Sequence, residues 1–169
     1  DSEGDPQSDA GYASTVVDWV LVHLRADPEG APLCMAAALL HNDGHVEFVG
    51  EGLSCCDLNL NASYYLVIEH RNHLIVMSPD PISVVNGQIT FDFRVIQSYF
   101  YDPFGSGIYV GQKPIPGGKF AMFAGNSDQV YDLDSDTDIN ENDRNFWGGE
   151  NGTIARYRRG DHNLNGDVN

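Results

Sequence analysis

Val16-Val17-Asp18-Trp19-Val20-Leu21-Val22-His23-Leu24 is the stretch on which the fold turns. Read with a period of two, Val16, Asp18, Val20, Val22 and Leu24 share one face, and Val17, Trp19, Leu21 and His23 share the other. Both faces are largely apolar, which suits an inner strand rather than an edge. Further β-type runs follow at 33–41, 45–49, 63–70, 74–78, 82–85, 88–95 and 119–124. Between them lie turn signals: Asn42-Asp43-Gly44 and Val85-Asn86-Gly87-Gln88 predict hairpins, while Asp102-Pro103, Pro114 and Pro116-Gly117-Gly118 mark loops. Short strands with regular turns predict a mainly β protein, a β-sandwich. A helix over 33–40, favoured by Met35, Ala36, Ala37, Ala38 and Leu39, competes for one segment, but it is short and begins beside Pro32.

Composition divides the chain of 169 residues into three regions. Residues 1–15 are almost wholly Asp, Ser, Gly, Glu, Gln and Ala, cannot bury a core, and are expected to be an extended N-terminal segment. Residues 16–125 hold the strands, and 126–169 are enriched in Asp, Asn and Gly. The chain starts at Asp1 with neither an initiator Met nor a signal-peptide pattern, as expected of a processed form or a fragment, and either suits secretion. With 9 Lys and Arg against 25 Asp and Glu, the formal charge of -16 repels a polyanion, so no nucleic-acid partner is expected. No apolar run approaches the roughly 20 residues of a membrane-spanning helix.

The strongest motif is Asp132-Leu133-Asp134-Ser135-Asp136-Thr137-Asp138-Ile139-Asn140-Glu141-Asn142-Asp143. Oxygen-bearing side chains fall at loop positions 1, 3, 5, 9 and 12, with an aliphatic residue at position 8, which is the spacing of a calcium loop. A hard cation with about six to eight oxygen ligands is wrapped by a tight turn in this way. Asp132, Asp134, Asp136 and Asp143 are the expected carboxylate ligands, Asp138 a carbonyl ligand and Asn140 a direct or water-mediated one, with Ile139 anchoring the loop to the core. A merely solvated acidic loop is the competing reading, but these four carboxylates repel one another without a counter-ion. Thr137 stands at position 6, where Gly is usual; positive φ costs a β-branched residue about 1–2 kcal/mol. A helix is expected from Asp143 through Trp147, stopped by Gly148-Gly149.

A second copy begins at Asp161 and continues through Asn163, Asn165, Gly166, Asp167, Val168 and Asn169, lacking position 12. Asp161, Asn163, Asn165 and Asn169 offer side-chain oxygens and Asp167 a carbonyl. The missing carboxylate is expected either from the acidic segment of another copy, with Asp1, Glu3, Asp5 and Asp9, or from residues beyond Asn169.

The duplicated loop, followed by a helix and needing none before it, resembles the dockerin-type calcium repeat over 132–147 and 161–169. The segments Val16-Val17-Asp18-Trp19-Val20-Leu21-Val22-His23-Leu24-Arg25 and Glu69-His70-Arg71-Asn72-His73-Leu74-Ile75-Val76-Met77-Ser78 resemble a sandwich module of secreted bacterial surface proteins that precedes such repeats. Tyr64-Tyr65-Leu66-Val67-Ile68 after a hairpin is similar to prealbumin-like modules of bacterial surface stalks. The resemblance implies a prealbumin- or Ig-like sandwich with a calcium module and an extracellular, cell-surface setting; it implies no reaction.

Other sites carry less chemistry. His70, Arg71, Asn72 and His73 are read as a polar turn rather than a metal or base site, since no third ligand is placed by sequence. Of three cysteines, Cys34 is expected to pair with Cys55 or Cys56 if the compartment is oxidising; inside a cell all three would stay reduced. Ser54-Cys55-Cys56 lacks a nucleophile signature, and no enzyme is expected. Tyr99, Tyr101 and Phe104 form a candidate glycan contact, and Asn61 and Asn151 match the glycosylation acceptor pattern. The expectation is a secreted, calcium-stabilised structural subunit that polymerises with itself through its termini, residues 1–15 lying along another copy's sheet edge as in strand addition. The alternative is a dockerin-like docking or carbohydrate-binding module of a larger secreted protein.

Overall fold

The computed structural model describes residues 12–100, 105–126, 139, 141–154, 158, 160–162 and 168, with Cys55 described by its backbone alone. Five antiparallel strands, β1 (Val16–Arg25), β2 (Cys34–His41), β3 (Val46–Phe48), β4 (Ser63–His70) and β5 (His73–Met77), lie in the order β3-β2-β1-β4-β5. A sixth, β6 (Ile82–Ser83), pairs with β4. A separate hairpin joins β7 (Lys113–Ile115) to β8 (Lys119–Ala121), and α1 spans Glu141–Glu150.

The apolar stretch at 16–24 is an inner strand, as its two-sided pattern predicts: β1 pairs with β2 on one side and β4 on the other. Residues 34–41 are a strand and not a helix, because the alanines pair across β1 in an unbroken register from Val22↔Ala36 to Val20↔Ala38. Val20, Val22 and Ala38 centre the core, with Leu40, Val46, Leu53, Leu66 and Ile68 packed against them. Fully burying a Val side chain such as Val20 or Val22 contributes roughly 1.5–3 kcal/mol. Leu53 arrives on a 3-10 turn, Gly52–Cys55, and the disulfide Cys34–Cys56, with Cα atoms 5.9 Å apart, ties that turn's end to the start of β2.

The hairpin signals fold as their residue types require. Asn86 (φ 53°) and Gly87 (φ 75°) occupy left-handed backbone between Val85 and Gln88, which exchange both backbone hydrogen bonds. Two expectations are corrected. The run at 88–95 is not a strand, because Asp92 Oδ1 accepts from the Arg94 backbone N–H and the Asp92 carbonyl accepts from Ile96, turning the chain. Pro114 lies within β7 rather than a loop, tolerated because a two-stranded hairpin leaves each strand one free edge.

The helix is also displaced from its expected limits. It starts at Glu141, with Glu141 and Asp143 in its first turn where the helix dipole favours negative charge, and runs through Gly148 and Gly149. Gly152, at φ 88°, turns the chain after it. Among the described residues no helix is long and apolar enough to cross a membrane.

Candidate functional site

Asp18 lies on the core face of β1, where a bulge between Val16 and Asp18 shifts the pairing with β2. It is 6% exposed, and a buried carboxylate must be compensated. The compensation comes from the β4–β5 turn: Asp18 Oδ2 accepts from His70 Nε2 and from Arg71 Nε, each at 3.0 Å, while Oδ1 accepts from the Trp19 backbone N–H at 2.8 Å. His70 and His73 face each other across the turn, and neither Arg71 nor Asn72 has positive φ. A register irregularity between Ile68 and His70 accommodates this turn, whose hand does not match strand twist.

Acceptance by Asp18 assigns the proton of His70 to Nε2, leaving Nδ1 to accept from His73 Nδ1–H at 2.8 Å. His73 Nδ1–H also faces Asn72 Oδ1 at 2.8 Å. Burial, with the nearby charge of Arg71, lowers the His73 pKa to about 3, so the ring is neutral. Both nitrogens of His70 are therefore engaged within the fold.

The same turn holds the C-terminal region. Asn72 Nδ2 donates to the Asp161 carbonyl at 2.7 Å, and the Asn72 carbonyl accepts from the Gly125 N–H at 3.0 Å. Leu74 donates to the Phe123 carbonyl, and His73 bridges to Ala124, so 123–125 runs along the edge of β5. Asp143, on α1, is 3% exposed and Asp161 is 1% exposed; both lie near His162, where they oppose the lowering of its pKa by burial. Glu150 Oε2 accepts from the Gly160 N–H at 2.7 Å, and buried Val168 exchanges backbone hydrogen bonds with Gly152 and Thr153, closing the C-terminal segment onto α1.

The structure thus brings two expected ligands, Asp143 and Asp161, into one buried junction with the sheet. Asp132, Asp134, Asp136, Asp138, Asn140, Asn163, Asn165, Asp167 and Asn169 lie outside the described residues. Ile139 does not enter the core: it is 47% exposed, beside Gly125, whereas Val168, its counterpart in the second copy, is buried. Tyr99 is partly exposed in an open groove with Pro79, Val95 and Ile96, and Tyr101 and Phe104 lie outside the described residues. Asn61 and Asn151 are exposed on turns. Cys56 is the partner of Cys34, leaving Cys55 as the odd cysteine.

Sequence reasoning read 70–73 as a polar turn and missed what it holds. The available signal was Asp18, a charge on the core face of an inner strand, which required cationic partners from another element. Among the described residues no group of three or more His, Cys, Asp or Glu is arranged to hold a metal ion. Asp143 and Asp161, positions 12 and 1 of the two loop spacings in the sequence, are both buried carboxylates. Comparison with protein-family models, curated proteins and solved structures returned no match to this chain.

Proposed function

We propose that this chain is a calcium-stabilised, non-catalytic structural subunit of an extracellular fibre or surface assembly, a β-sandwich carrying a dockerin-like calcium module. The reading is carried by Asp143: the residue at position 12 of the calcium-loop spacing is a buried carboxylate in the first turn of α1, beside the junction that buries Asp161. Calcium held by Asp132, Asp134, Asp136, Asp138, Asn140 and Asp143 offsets the repulsion among these carboxylates in a chain of charge -16. The Cys34–Cys56 disulfide supports an oxidising compartment. Self-association is proposed through the termini, with the acidic residues Asp1, Glu3, Asp5 and Asp9 of one copy meeting another.

Thermal melting in calcium and in EDTA tests the reading. At calcium 100 times the dissociation constant the folded state gains about 2.7 kcal/mol, and Asp132→Ala with Asp134→Ala abolishes the gain. Identical melting of the wild type in calcium and EDTA overturns calcium stabilisation. Electron microscopy of the same samples tests assembly, and particles that stay monomeric at high concentration with calcium overturn the fibre.

A further inference from the structure

The chain's two lysines both sit on the β7–β8 hairpin, Lys113 on β7 and Lys119 on β8, and both are exposed. Residues 105–126 hold no acidic residue; all 25 Asp and Glu, with the other 7 of the 9 basic residues, lie elsewhere. Side chains alternate between faces along a strand, and Ile115 pairs with Lys119 while Lys113 pairs with Ala121, so Lys113, Ile115 and Lys119 share one face of the hairpin. Ile115 is 38% exposed there. Phe120, on the other face, packs edge-on against Tyr109 with ring centroids 5.6 Å apart, and its N–H donates to the Arg94 carbonyl, which holds the hairpin in place. Among the described residues neither lysine has an ion-pair partner. Asp92, the carboxylate whose pKa Lys119 helps to lower, is already taken by two bonds from Arg94, each 2.8 Å long. The tip bends through Gly117 and Gly118, at φ 86° and 69°, and a Cβ added at either would meet nothing within 4 Å, so the hairpin projects into solvent.

We propose that the face of the β7–β8 hairpin carrying Lys113, Ile115 and Lys119 is the docking surface on which a second copy of this chain seats its acidic surface. This rests on the self-association reading above and names the surface that receives the acidic partner. Charge complementarity selects the occupant: two copies of charge -16 repel wherever acidic surface meets acidic surface, and the hairpin is where positive charge stands clear of acidic residues. The contact is heterologous, the hairpin of one copy against the acidic surface of the next, so it can repeat from copy to copy as a filament requires. Pro114 has no N–H to offer an added strand from β7, and the Phe120 N–H of β8 is already engaged. Side chains rather than a continued sheet therefore make the contact, and exposed ion pairs of this kind are weakened by salt.

Sedimentation velocity of the full chain in calcium tests the proposal. The wild type is expected to self-associate at about 20 mM salt and to do so at least tenfold more weakly at about 0.5 M. Lys113→Gln combined with Lys119→Gln is expected to weaken association about tenfold or more. Asn61→Asp combined with Asn151→Asp, at two exposed turn positions, makes the same change in net charge and is expected to stay within about threefold of wild type. An unchanged lysine variant, or an equal loss in the asparagine variant, overturns the hairpin as the docking surface while leaving self-association standing. A wild type that stays monomeric, even one that binds an acidic polysaccharide, overturns both. Where the lysine variant does not fold, carbodiimide coupling of the wild type decides. In a mixture of isotope-labelled and unlabelled chains, amide links should join Lys113 or Lys119 of one copy to an Asp or Glu of another, and associated chains without such links overturn the proposal.

Discussion

Across the sheet, Asp18 Oδ2 of β1 stands 3.0 Å from His70 Nε2 at the end of β4. Arg71 Nε reaches the same oxygen, so one buried carboxylate secures both the sheet interior and the turn that carries Asn72. Removing one member of a buried pair strands the other, a loss of about 3–5 kcal/mol. Asp18→Ala should lose about that much stability in urea denaturation. Asp18→Leu combined with Arg71→Leu should lose clearly less than the two single losses added, because no charge is left unpaired.

His23 makes stability fall with acid. The ring is 2% exposed with neither nitrogen hydrogen-bonded, and burial, reinforced by Arg25, lowers its pKa from 6.5 to about 4. As pH falls the unfolded chain takes up this proton before the native chain does, so stability is whole above pH 6.5 and is lost between 6.5 and about 4. Glu69, 3.7 Å away, acts in the opposite sense, since burial raises its pKa and acid neutralises it. The His23 contribution is at most about 3 kcal/mol. His23→Gln should flatten the profile of unfolding free energy against pH over that window.

The disulfide closes a loop over a sequence separation of 22. Cys34→Ser or Cys56→Ser should each cost about 3 kcal/mol in oxidising buffer, whereas Cys55→Ser should leave the bridge intact. Mass mapping without reductant checks the pairing directly.

Two glycines separate conformational from steric cost. Gly87 sits at φ 75° with nothing within 4 Å of an added Cβ, so Gly87→Ala should cost about 1 kcal/mol from backbone strain alone. Gly52, at φ 57°, would set that Cβ 2.7 Å from Phe48 Cγ, so Gly52→Ala should cost more and displace Phe48. Chemical denaturation of both variants checks the order.

Local patterning alone determined the inner strand at 16–24 and the left-handed Asn86-Gly87 turn, because alternation and backbone sterics act over a few residues, whereas pairing with β1 decided between strand and helix at 34–41. The calcium proposal rests on the spacing of Asp132 to Asp143 in the sequence. Tertiary structure decided which cysteine meets Cys34, what neutralises Asp18 and where Asp161 is held. Periodicity says which face a side chain occupies; strand register and the packing of distant segments decide which groups meet there. Asn72 and Asp161 lie far apart in the chain, and a bond between them exists only once β4 and β5 have paired and 123–125 has closed along their edge.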